Sequence, residues 1–144
     1  IVNDLKSNKK NMKFAYNILF IMVTICVGTV GAQTEWDCST TTGVFKRSTD
    51  CILYSQIVVT GKLNVTGIPD AQGNLPKING AGSNRLFKVE SGGELVVKSL
   101  NLTGGNVLED ATNPNGGAVH VTDGVLNLHS SSLSKNKAAC GGGI

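Results

Sequence analysis

Apolar and polar residues alternate in three separate segments of the chain. The first is Ile57-Val58-Val59-Thr60-Gly61-Lys62-Leu63-Asn64-Val65. The second is Phe87-Lys88-Val89-Glu90-Ser91-Gly92-Gly93-Glu94-Leu95-Val96-Val97. The third is Val119-His120-Val121-Thr122-Asp123-Gly124-Val125-Leu126-Asn127-Leu128. Each reads apolar-x-apolar, a turn with glycine, then apolar-x-apolar again. Residues two apart share one face of a strand. The pattern therefore points Leu95 and Val97 inward, with Glu94, Val96 and Lys98 outward, and Leu126 and Leu128 inward, with Asn127 and His129 outward. Leu100 and Leu102 continue the second pattern after a bend at Ser99. No run keeps helical spacing over ten residues. Leu63, Leu95 and Leu126 lie 32 and 31 positions apart, and a period of this size marks a repeat architecture. One unit cannot bury its inner face alone, whereas stacked units close a continuous interior. The fold class predicted is all-β, a parallel β-helix whose longer gaps, such as Asn106 to Asn115, are projecting loops. The rival is a two-layer β-sandwich. It does not require a turn glycine at a fixed offset from the same apolar pair.

The pair Gly116-Gly117 recurs 25 residues on as Gly141-Gly142. Gly116-Gly117-Ala118-Val119 resembles the GGA-[ILV] motif of polymorphic outer membrane protein repeats, a right-handed, pectin-lyase-like parallel β-helix family. Leu133-Ser134-Lys135-Asn136 falls where that family has FxxN, and Ala138 with Gly141-Gly142-Gly143-Ile144 fits the start of the next repeat. Leu133 departs from the family's Phe and Gly143 from its Ala. The resemblance spans about residues 85–144 well and 57–68 loosely. It implies secretion, surface display and adhesion-like roles. A new coil beginning at Gly141 leads us to expect an N-terminal part of a longer domain, truncated at Ile144, with any partner of Cys140 further on.

The start of the chain reads differently. Met12 and Lys13 precede a mostly apolar run, Phe14 to Val27, and then the small residues Gly28-Thr29-Val30-Gly31-Ala32. This is the layout of a cleavable secretory signal, with the cut after Ala32. An uncleaved anchor is the rival, although Asn17, Thr24 and Gly28 interrupt the run of about 20 apolar residues that a spanning helix wants. The organisation expected is an untranslated or disordered extension at 1–11, a signal peptide at 12–32, an N-terminal cap segment at 33–55 and β-helix coils at 56–144. Cys26 would leave with the signal. Cys38 and Cys51 would pair, closing a loop worth about 3 kcal/mol on the chain-entropy account. The alternative is that Cys51 and Cys140 are small buried residues. Neither His120 nor His129 has the CxxC companion of a zinc site.

Aromatic residues make up 5% and charged residues 16% of the chain, which suits short strands and tight turns better than a disordered tail. Lys6, Lys9, Lys10 and Lys13 against Asp4 account for the whole net charge of +3. Residues 33–144 are therefore neutral, without a basic stripe for nucleic acid. Carboxylates are scattered: Glu109-Asp110 in a loop, Asp123 in a turn, Glu90 and Glu94 flanking the equivalent turn one coil earlier, where Asp123 would lie near Ser91. With Arg85, the lone arginine of residues 56–144, they form no catalytic set. His120 and His129 read as exposed strand residues, and the glycine stretches as turns, since none has the trailing Lys-Ser/Thr of a phosphate loop. No cofactor or metal is expected. Two glycosylation sequons, Asn64-Val65-Thr66 and Asn101-Leu102-Thr103, place their Asn side chains outward. The expected function is a secreted or cell-surface module for adhesion, binding or structure. Its partners would be carbohydrate or other surface proteins, with no nucleic acid and no integral membrane segment in the mature chain. The alternative is a polysaccharide lyase or glycoside hydrolase with catalytic coils beyond residue 144.

Overall fold

The computed structural model describes residues 33–109 and 112–144. The expected extension at 1–11, the signal at 12–32 and Asp110 lie outside the described residues. Gln33–Ile144 forms one compact unit. Its described residues are all-β, with eleven strands and no helix. These are β1 (Gly43–Arg47), β2 (Cys51–Ile52), β3 (Ile57–Val59), β4 (Lys62–Gly67), β5 (Lys77–Asn79), β6 (Phe87–Val89), β7 (Glu94–Lys98), β8 (Asn101–Thr103), β9 (Val119–Val121), β10 (Val125–His129) and β11 (Ser132–Ser134).

Each strand pairs in parallel with the strand three elements later. Three sheets result, ordered β1-β4-β7-β10, β2-β5-β8-β11 and β3-β6-β9. The antiparallel ladders of the rival sandwich are absent among the described residues. The spacing of the leucines is the register itself, because Leu63 faces Leu95 and Leu95 faces Leu126 across the first sheet. The same bookkeeping aligns Ile57, Phe87 and Val119 in the third sheet, and Ile78, Leu102 and Leu133 in the second. These inward rows meet in one apolar core. Full burial of each such side chain contributes about 1.5–3 kcal/mol.

Residues 33–55, expected as a cap, supply β1 and β2 to the first two sheets. Trp36 from this segment is completely buried, and its ring stacks on Phe87 at a centroid distance of 6.0 Å.

The bends repeat as faithfully as the strands. Ser99 and Ser130 occupy corresponding corners with φ of 51° and 48°, and the Ser99 amide donates to the His129 carbonyl at 2.9 Å. Gly116 and Gly141 share a φ of 61°, a conformation that side chains with a Cβ adopt at a cost. Gly117 has a different constraint. A Cβ there would come within 2.6 Å of the Lys137 carbonyl oxygen. The amides of Gly116 and Gly117 donate to the carbonyls of Cys140 and Gly141 at 3.1 and 3.2 Å. The second glycine motif is thus laid directly on the first.

Candidate functional site

Cys38 and Cys51 form the expected disulfide, with their Cα atoms 6.4 Å apart. It ties the turn after Trp36 to β2. Asp37 shapes that turn. One carboxylate oxygen accepts the amides of Ser39 and Thr40 at 2.9 and 2.8 Å, and the other accepts both hydroxyls at 2.9 Å. These bonds, led by the Thr40 amide, hold the Asp37 carboxyl well below the usual carboxylate range. Cys140 is exposed and free, so its reading as a small buried residue is not what the structure shows.

The FxxN-like segment links neighbouring repeats. Asn136 Nδ2 donates to the Leu102 carbonyl at 3.0 Å, and Asn136 Oδ1 accepts the Gly105 amide at 2.9 Å. One side chain thereby satisfies a donor and an acceptor on the preceding repeat. Leu133 sits opposite Leu102 and packs, half-buried, against the core.

Arg85 is 3% exposed. Its Nε donates to the Gly116 carbonyl at 2.9 Å, and its Nη2 to those of Asn113 and Asn115 at 2.8 and 2.7 Å. Nη1 donates to Gln56 Oε1 at 2.9 Å. The guanidinium therefore fastens the loop before β9. His120 shares this neighbourhood. Its expected exposure is corrected to half-buried, and Nδ1 lies 3.3 Å from Asn113 Nδ2. Burial, with Arg85 and Lys88 nearby, lowers its pKa. His129 is exposed as expected.

The carboxylates stay dispersed. Glu94 pairs with Lys62 and Glu90 with Lys88, each at 2.9 Å. The Ser91 hydroxyl donates to Asp123 Oδ2 at 3.0 Å, the contact anticipated from stacking the turns. Among the described residues no group of three or more His, Cys, Asp or Glu is placed to hold a metal ion.

A polar groove of about 640 Å³ runs over the outer face of the second sheet, lined by Asp50, Asp70, Asn74, Lys77, Asn101 and Ser132 among others. Asp70 orders one wall. Its Oδ1 accepts the Gln72 and Asn74 amides at 2.9 and 2.8 Å, and its Oδ2 accepts Asn74 Nδ2 at 2.8 Å. Those bonds, the Asn74 side chain first, lower its pKa. The Lys77 amide donates to Asp50 Oδ1 at 2.9 Å on the other side. This groove was not anticipated. The only local hint is the Asp70-Ala71-Gln72-Gly73-Asn74 composition, which favours a turn held by the aspartate. Leu75 and Pro76 complete the groove with an apolar shelf.

Asn101 and Asn64 both sit on outward rows. Asn101 lies between Lys77 and Ser132, and Asn64 between Val44 and Val96. No protein-family model, curated protein or solved structure matches the chain. Among the described residues no helix is long and apolar enough to cross a membrane.

Proposed function

We propose that residues 56–144 belong to a right-handed parallel β-helix that works outside the cell as an adhesion, binding or structural surface module. The observation that carries this reading is the use made of the repeat's own polar residues. Asn136 bonds the preceding repeat, and the amides of Gly116 and Gly117 donate to the carbonyls of Cys140 and Gly141 at the next glycine motif. Parallel connections in one sheet are right-handed in about 98% of cases, which supplies the hand. The Cys38–Cys51 bond suits an oxidising compartment. The signal-like run at 12–32 supports the same destination, and the polar side chains lining the groove over the second sheet, among them Asp70, Asn74, Lys77 and Asn101, suit carbohydrate or protein partners.

The test is export of the full chain from a secretory cell, followed by amino-terminal sequencing and binding to immobilised polysaccharides and cell-surface proteins. An exported form beginning at Gln33 that binds one of these surfaces supports the proposal. Retention in the cytosol, or turnover of pectin-like polymers into new reducing ends, overturns it.

A further inference from the structure

The sequon Asn101-Leu102-Thr103 occupies β8, between β5 and β11. Leu102 is fully buried, so strand alternation puts Asn101 and Thr103 together on the outer face. Ser134 Oγ donates to Asn101 Oδ1 at 3.1 Å. That bond turns the amide oxygen toward β11. The planar amide then places Nδ2, the nitrogen that carries an N-linked sugar, on its other branch. Asn101 also lines the groove over the second sheet, with Asn74, Asp70, Lys77 and Ser132. Amide, carboxylate, ammonium and hydroxyl groups match the hydroxyls and acetamido group of an N-acetylhexosamine. Leu75, half-buried at the groove's edge, offers its ring an apolar contact.

Asn64 has the same sequon grammar and a different setting. Its row neighbours are the aliphatic Val44 and Val96, and its Oδ1 is buried without a hydrogen-bond partner. A sugar on Asn64 would lie first over the aliphatic Val44 and Val96, with Asn127 the next residue along that row.

We propose that Asn101 is N-glycosylated and that the first sugar of its glycan is seated in the groove beside Asn74, Asp70 and Lys77. Asn64 is not among the residues that line this groove. The modification rests on the proposed passage through a secretory compartment. The donor class is an oligosaccharide linked to a lipid diphosphate. The anomeric carbon forms a bond to Asn101 Nδ2 as its bond to the diphosphate oxygen breaks. One proton leaves Nδ2, and the lipid diphosphate departs with the bonding pair.

The experiment uses the full chain in a eukaryotic secretory host, in two forms: with its own amino terminus, and behind an added cleavable leader that forces entry. Release of glycans by an amidase in heavy-oxygen water converts each modified Asn to a labelled Asp that mass spectrometry locates. The expected result is a label at position 101 that Thr103→Ala removes, and a fall in melting temperature on release that is larger than the one Asn101→Asp causes in the unglycosylated protein. In Asn64→Gln both results should persist. An exported, leader-borne protein with unmodified Asn101 overturns the site. A modified Asn101 whose glycan release lowers the melting temperature no further than Asn101→Asp does overturns the seating. If only the leader-borne form is glycosylated, the site inference stands and the extracellular reading of the native chain fails.

Discussion

The repeat made of β6, β7 and β8 and the repeat made of β9, β10 and β11 are nearly the same sentence written twice. Leu95, Val97 and Leu102 in the former face Leu126, Leu128 and Leu133 in the latter. Yet the first three are 0%, 1% and 0% exposed, while the second three are half-buried. The strand pattern does not separate them. Among the described residues β7 is paired on both sides, by β4 and β10, whereas β10 is paired on one side, by β7. Burial in this molecule is therefore conferred by the neighbouring repeat more than by a residue's own segment, as nearest-neighbour stacking requires.

The sharpest way to break that comparison is to truncate matching leucines. In a chain of residues 1–144, Leu95→Ala should cost about 3–4 kcal/mol, in the middle of the range for a fully buried leucine, and Leu126→Ala about half as much. Urea unfolding of both variants decides it. Equal losses would mean that the two repeats are equally packed. The cysteines extend the test to the opposite side of the molecule. Replacing Cys38 and Cys51 together by Ala should remove about 3 kcal/mol, from the loop that they close. Cys140→Ser, at an exposed thiol, should leave the unfolding midpoint in place.

Glycines sharpen the contrast at the level of single atoms. Gly117→Ala should cost about 1–3 kcal/mol, the usual range for overpacking, because its new methyl meets backbone oxygen. At Gly143 the nearest atom to an added Cβ is a Leu133 methyl at 3.5 Å, an ordinary contact. Gly143→Ala should therefore be neutral or stabilise by up to about 1 kcal/mol through the unfolded chain. Thermal melts should show a lower midpoint for Gly117→Ala and an equal or higher one for Gly143→Ala.

The smallest effect concerns pH. Burial, with Arg85 and Lys88 close by, lowers the His120 pKa in the folded state. As pH falls through about 6.5, the unfolded ring takes up its proton first. Stability contributed by His120 is thus present at neutral pH and declines on acidification toward the folded pKa. His120→Asn should flatten the fall in melting temperature between pH 7 and pH 5. An unchanged slope would show that His120 does not carry it.

Much of this was legible in the sequence, and for a common reason. The spacing of Leu63, Leu95 and Leu126, the bend at Ser99 and the recurrence of the paired glycines are local patterns that the stack copies into register. The Cys38–Cys51 pair was readable because both residues lie in one short polar segment. Arg85 was not readable. Its partners Asn113, Asn115 and Gly116 lie about thirty residues ahead, and Gln56 as far behind. Nothing in the local pattern shows a cation satisfied by carbonyls. His120 was misjudged for the same reason, since the loop carrying Asn113 that half-covers it has no strand periodicity. The groove over the second sheet needs Asp50, Asp70 and Asn101 brought together from separate repeats, which alternation alone cannot foresee.

The Asn136 bridge has a mechanical meaning. Between successive repeats the backbone ladders of the sheets and the two Asn136 bonds all run in the stacking direction. A load applied in that direction is shared by every bond at one such junction, while successive junctions bear the same load in series. Rupture therefore begins at the junction with the fewest bonds, and an amide side chain spanning the gap raises the yield force of its own junction without stiffening the others.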